Sequence, residues 1–267
     1  MVYDDLRKLQ DIPHAYEQWH EYRKQLTDYI LSDVKFGESI LIMGAGRCND
    51  IDVNALLEAT DNVTIADRDY SILPDYNGCI KKSVDLIGIS DDMFREFIFN
   101  LQMFIKSNKD NKTRFQEFFT EKMFALLKKA VPTVFDEKKY DHVVCCGVHS
   151  QLINMFAWIW KAFAVNLRIV DDHYVFEAIS DYNTIYTSKV NKKLISFCNK
   201  RLVIGLEKEN TFRPGLIEGA YQAYNNLQEL CNKGMLTLDN QISALWPFDM
   251  KNNVAYNMNI YSFLLSK

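Results

Sequence analysis

The 267-residue chain has a formal net charge of −4 and is 48% hydrophobic and 13% aromatic. Neither sign of charge dominates, so nothing steers it toward nucleic acid or an anionic membrane. No apolar run reaches the roughly 18 residues that span a bilayer, and the opening Met-Val-Tyr-Asp-Asp lacks the pattern of a signal peptide.

Residues 14 to 31 place Ala15, Trp19, Tyr22, Leu26, Tyr29 and Ile30 at helical spacing, which predicts an amphipathic helix ahead of the first strand. Strands are expected over 39–43 and 63–66 with a helix over 53–59 between them, and a weaker strand over 79–84 ends at Asp85. Helices over 91–106 and 114–131 are split by the polar segment 107–112, a turn or loop. A fourth strand over 142–146 leads into an apolar helix over 151–165. The signal then weakens: within 171–200 a helix is expected only over 190–199. A fifth strand over 201–206 and a helix over 216–231, stopped by Gly234, precede two runs over 242–250 and 254–264 that read as an antiparallel hairpin.

This order predicts one α/β protein with a mainly parallel sheet. The expected division is an N-terminal helical cap over 1–35 and a sheet domain over 36–267, with a helical insertion at about 91–135. Six cysteines, Cys48, Cys79, Cys145, Cys146, Cys198 and Cys231, are scattered without C-x-x-C or zinc-finger spacing. They read as reduced thiols of a cytoplasmic protein, and no metal site is expected.

Residues 39 to 46, Ser-Ile-Leu-Ile-Met-Gly-Ala-Gly, carry the most information. A short apolar run ends in two glycines one residue apart, which lets the chain turn sharply at the carboxyl end of a buried strand and approach a ligand closely. The next apolar run, Val63 to Ala66, ends in Asp67, where a carboxylate can accept both hydroxyls of a ribose. A dinucleotide fingerprint needs a third glycine at the position held by Asn49, and Asp50 and Asp52 compete for the positive helix end that a pyrophosphate would use. No G-K-[ST] closes a P-loop. The pattern suits a nucleoside with a positively charged tail, such as S-adenosylmethionine.

On these residues the chain resembles the class I, Rossmann-like S-adenosylmethionine-dependent methyltransferases over roughly residues 36 to 262. Ile40 to Gly46 stand as motif I, Val63 to Asp69 as motif II, and Tyr140 to Gln151 as the fourth strand and its loop. The sequence departs from the family pattern at Ile42, where an acidic residue is common, and at Cys48, where a third glycine is usual; Asp50 is placed to supply the charge that Ile42 lacks. The resemblance implies a seven-stranded sheet whose last two strands pair antiparallel, and a cofactor site formed by Gly44, Ala45, Gly46, Asp50, Asp67, Arg68, Asp85 and Cys146. Within it Asp85 would meet the adenine amino group. N-terminal helices in this family often cover the cofactor, which makes Tyr16, Trp19, His20 and Tyr22 either a lid or core, with Tyr22 a candidate acceptor contact.

Parallel strands bring their carboxyl ends together, so the loop Cys146 to Gln151 should meet the glycine turn. Methyl transfer from a sulfonium mainly needs alignment, and a base only where the acceptor must lose a proton. His149 is the candidate base and Gln151 a candidate acceptor contact, while Ser150 reads as a helix N-cap. Glu207, Arg213 and Glu218 flank the fifth strand and either grip an acceptor or are surface charges. The expected function is methyl transfer to a small molecule or peptide. The alternatives are a non-catalytic S-adenosylmethionine-binding regulator, transfer of another arm of that cofactor, or an NAD(P)-dependent oxidoreductase. No Asn-Pro-Pro-Tyr follows the fourth strand, so the amide- and base-nitrogen arrangement is missing; the sequence is silent on the acceptor and on oligomeric state.

Overall fold

The computed structural model describes residues 2–8, 11–108, 112–132 and 138–266. Helices α1 (Val2–Lys8), α2 (Ala15–Gln18) and α3 (His20–Leu31) precede β1 (Ser39–Met43), α4 (Val53–Ala59), β2 (Asn62–Asp67) and β3 (Ile80–Ser83). The chain continues through α5 (Asp91–Ser107), α6 (Lys112–Lys129), β4 (Tyr140–Cys146), α7 (Asn154–Leu167), α8 (His173–Phe197) and β5 (Cys198–Asn210). It closes with α9 (Glu218–Asn232), β6 (Leu236–Asp249) and β7 (Val254–Leu265). Residues 109–111, in the expected polar break, and 133–135, at the end of the expected insertion, lie outside the described residues.

The strands form one seven-stranded sheet in the order β3-β2-β1-β4-β5-β7-β6. Neighbours from β3 to β5 pair parallel, while β7 lies antiparallel between β5 and β6. This is the expected architecture, closing hairpin included. Side-chain alternation divides the core between the two faces of the sheet. Leu41, Met43, Val143, Cys145, Leu202 and Ile204 face one cluster, with α5 to α9, and Ile40, Ile42, Val63, Ile65, Val144 and Val203 face the other, with α2 to α4.

The N-terminal segment is not one cap. Tyr3 of α1 stacks on Phe94 of α5 at 5.2 Å, on the first face, while α3 buries Tyr22, Leu26, Tyr29 and Ile30 on the second. The expected helix over 14–31 is broken at Trp19 between α2 and α3. A buried cation fixes the end of α3: Arg201 of β5 donates to the carbonyls of Ile30 and Tyr29 at 2.9 and 3.1 Å, and to Ser262 Oγ of β7 at 2.7 Å. Helix-terminal carbonyls lack intrahelical partners and carry partial negative charge, which makes a guanidinium a fitting cap.

Two stretches differ from expectation. Residues 173–197 form one helix of 25 residues instead of a short helix over 190–199, and β6 begins at Leu236, six residues before its expected start. Among the described residues no helix is long and apolar enough to cross a membrane.

Candidate functional site

The carboxyl ends of β1, β2, β4 and β5 converge beside the glycine turn. Gly44 and Gly46 adopt left-handed φ values of 73° and 51°, and so does Cys48 at 55°, the position that departs from the usual third glycine of the family pattern. A side chain at Gly44 would begin 2.3 Å from Val148 Cγ2, so the turn depends on glycine there for close approach as well as for φ. Four of the turn's donors are already occupied: the N–H groups of Gly44 and Ala45 donate to the Ala66 carbonyl at 2.9 and 3.1 Å, and that of Cys48 to the Ala45 carbonyl at 2.8 Å. The Gly46 N–H donates to Asp67 Oδ2 at 2.9 Å. A pyrophosphate cradle needs such donors free, and here those of Gly44, Ala45 and Gly46 bind the loop to β2.

Asp67 thus points to the glycine turn, with its other oxygen accepting from the Asp69 N–H at 2.9 Å. Burial pushes its carboxyl upward, offset in part by those two hydrogen bonds. Each carboxylate oxygen accepts more than one hydrogen bond, so capacity remains for sugar hydroxyls. Asp69 caps the turn at Tyr70–Ile72 through the Ser71 N–H. Asp85 accepts from the N–H groups of Ile87 and Gly88 at 2.9 and 2.8 Å, while its second oxygen lies 3.7 Å from Arg68 Nε. Arg68 also pairs with Asp91 at 2.9 Å and so lies along the rim between β2 and α5.

The N-cap of α4 is Asp52. Asp52 accepts from the N–H groups of Asn54 and Ala55 at 3.1 and 3.2 Å, which leaves Asp50 free of that task. Asp50 lies inside the protein yet solvent reaches it, and burial pushes its carboxyl up to about 6, moderated by its own backbone N–H and by Arg23. Arg23 of α3 donates to the carbonyls of Tyr16 and Asn49 at 2.6 and 2.9 Å, tying the helical layer to the glycine loop.

After β4 the expectations divide. His149 is wholly buried, and its Nε2 meets Asn191 Oδ1 of α8 at 2.8 Å. Burial pushes its imidazole down to about 4. It sits among α8 and α9 and does not open to the glycine turn, so the expectation of an accessible base at His149 is corrected. Gln151 is exposed and donates to the Gly147 carbonyl at 3.0 Å, holding its own loop instead of projecting toward a ligand. Ser150 is not the N-cap of α7; its hydroxyl donates to Glu207 Oε1 at 2.6 Å. Cys146 turns its thiol against Gly205, where a side chain would begin 2.7 Å from Sγ, and burial pushes that thiol well up.

Tyr22, Trp19 and Trp246 roof the loop. Tyr22 is 1% exposed and stacks on Trp246 at 5.6 Å, while Trp19 meets Trp246 edge-on at 5.1 Å and donates its Nε1–H to the Phe248 carbonyl at 3.1 Å. Tyr16 and His20 lie on the exposed side of the same layer. Glu207 was left open between acceptor and surface in the sequence, and the structure buries it; Arg213 and Glu218 are exposed. Trp246 carried no motif in the sequence, and only its place opposite Tyr256 in the hairpin register brings it here. Among the described residues no group of three metal-ligating side chains assembles.

No protein-family model and no curated protein matches the chain. Solved structures do match. Magnesium protoporphyrin IX methyltransferase from Synechocystis PCC 6803 with bound S-adenosylhomocysteine is 11% identical, with 99% of this chain and 94% of that chain covered and a TM-score of 0.45. The methyltransferase domain of bacterial CtHen1 is 11% identical over 93% of this chain and 100% of that one, with a TM-score of 0.45. The pyocyanin biosynthetic protein PhzM is 9% identical over 92% and 55%, with a TM-score of 0.41. Such likenesses concern the fold alone.

Proposed function

We propose that the protein is an S-adenosylmethionine-dependent methyltransferase that acts on a small molecule or peptide. The observation that carries this is that β2 takes up the N–H groups of Gly44, Ala45 and Gly46 in the glycine turn. With these three N–H groups bound to Ala66 and Asp67, they are not on offer to a pyrophosphate, and the turn presents a nucleoside with the Asp67 carboxylate. Asp67 would hold the ribose hydroxyls. Asp50 would face the ammonium of the methionine arm, in the role left open by Ile42, and Arg68 and Asp85 would border the adenine. Bound there, the cofactor supplies an electrophilic methyl group on a sulfonium. The chain's own part is then alignment and exclusion of water under the roof of Tyr22, Trp19 and Trp246. Six free cysteines fit a reducing, cytoplasmic setting.

One observation favours the second reading, a regulator that binds the same cofactor without turnover. Tyr22 and Trp246 are buried, so an acceptor must displace part of the roof. Calorimetric titration with S-adenosylmethionine, S-adenosylhomocysteine and NAD tests the assignment, with binding of the first two and not of NAD expected. NAD binding in their place would overturn it. Binding without release of S-adenosylhomocysteine in the presence of any acceptor would favour the regulator.

A further inference from the structure

Three buried polar atoms in one aromatic cluster have no hydrogen-bond partner among the described residues: Glu207 Oε2, Tyr22 Oη and Trp246 Nε1. Their residues are 4%, 1% and 5% exposed. The groups are neighbours. Tyr22 stacks on Trp246 at 5.6 Å, and a side chain at Gly147 would begin 2.8 Å from the Trp246 ring and 3.9 Å from Glu207 Oε1. Burial pushes the Tyr22 phenol up, with the nearby Asp50 and Glu207 carboxyls adding to it, and Tyr256 is raised by burial and by Glu207. Glu207 receives the Ser150 hydroxyl on its first oxygen, and no cation among the described residues pairs with it.

Buried polar atoms in native proteins are nearly always hydrogen-bonded, and a buried carboxylate without a counter-charge is costly. Three such atoms together, at the carboxyl edge of the sheet beside the loop after β4, mark a place that a ligand completes. Its chemistry follows from the donors and acceptors on offer. A carboxylate wants a donor and preferably a cation, aromatic faces favour a cation, and an indole N–H wants an acceptor.

We propose that Glu207, Tyr22 and Trp246 form the acceptor subsite, and that it binds a protonated amine on Glu207 Oε2 beside the Tyr22–Trp246 stack; for the nitrogen itself to take a methyl group it would first give this proton to Glu207. Among such amines, one with a hydrogen-bond acceptor nearby would also meet the Trp246 N–H, but the amine on Glu207 is what the subsite requires. This rests on the methyltransferase reading above and names the acceptor class for that site. Asp50 is spoken for by the cofactor's ammonium in that reading, which leaves Glu207 as the carboxylate for the acceptor.

The test is calorimetry on the full chain saturated with S-adenosylhomocysteine. Benzylamine, 2-phenylethylamine and 1,4-diaminobutane are each compared with the matching alcohol and carboxylate, on the native protein, Glu207→Gln and Tyr22→Phe. The amines are expected to bind about tenfold or more tightly than their matches, with a loss of at least about tenfold in Glu207→Gln and a few-fold in Tyr22→Phe, which keeps the stacked ring. Alcohols that bind as tightly as amines, no amine binding to the loaded protein, or an unchanged affinity in Glu207→Gln would each overturn the proposal. So would a Glu207→Gln loss that falls on S-adenosylhomocysteine, since it would give the carboxylate to the cofactor. If Glu207→Gln does not fold, Tyr22→Phe and the amine-over-alcohol preference of the native protein decide. A native protein that does not bind S-adenosylhomocysteine removes the methyltransferase reading itself, and this subsite with it.

Discussion

Asp67 reaches from the tip of β2 to accept the Gly46 N–H at 2.9 Å, so the carboxylate that would hold a ribose also fixes the turn beneath it. Replacing it with asparagine retains one acceptor and removes the charge. Asp67→Asn is expected to weaken S-adenosylhomocysteine binding by about 1.5 to 3 kcal/mol, roughly 10- to 100-fold, as for hydrogen bonds to charged groups. Calorimetry reads this directly, and a variant that binds like the native protein would remove Asp67 from the site.

Asp50 supplies a pH signature. Its folded-state value of about 6 lies above the ordinary carboxylate range because burial disfavours the charge. The unfolded chain therefore loses this proton first as pH rises, so the contribution of Asp50 to stability is full below about 4 and lost by about pH 6. Asp50→Asn should stabilise the ligand-free protein at neutral pH by about 1 to 3 kcal/mol and weaken S-adenosylmethionine. In the native protein, affinity for this cation should rise between pH 5 and 7 as Asp50 ionises. A flat native profile, or the same slope in Asp50→Asn, would contradict the assignment.

Gly147 holds a φ of 65° with the Trp246 ring 2.8 Å from where a side chain would begin. Alanine there meets both backbone strain and an aromatic ring that other rings hold in place. Gly147→Ala is expected to cost about 2 to 4 kcal/mol in denaturant unfolding and to shift the tryptophan fluorescence. An unchanged spectrum and midpoint would mean that the roof yields easily.

His149 should behave as a structural residue. His149→Ala removes its bond to Asn191 and opens a small cavity, at an expected cost of about 1 to 3 kcal/mol. Turnover per folded molecule should persist. Because its folded value is depressed to about 4, the fold favours the neutral ring, and this contribution is lost as pH falls from about 6.5 toward 4. A collapse of turnover with stability unchanged would restore His149 as the base.

The sheet was legible because buried parallel strands and short helices write clean apolar runs: β1 and α4 stand at 39–43 and 53–59, as the sequence predicts. Helix α8 was not legible because its buried face mixes Val175, Ile179, Val190 and Leu194 with Asn183, Thr187 and Asn191, which interrupts the apolar stripe. The first half of β6 is an exposed edge whose residues read as loop. The turn at Gly44 and Gly46 and its closeness to Asp67 were legible as local motifs. His149 was misjudged because sequence shows that a residue follows a strand but not which face of the sheet it turns to. The partners Glu207 and Trp246 come together only through the β5-β7-β6 register.

The most direct measurement is a crystal structure of the protein with S-adenosylhomocysteine. The account predicts both ribose hydroxyls within about 2.6 to 3.0 Å of the Asp67 carboxylate, the amine near Asp50, and the sulfur facing the loop after β4. A ligand bound elsewhere, or a ribose that leaves Asp67 untouched, would contradict it.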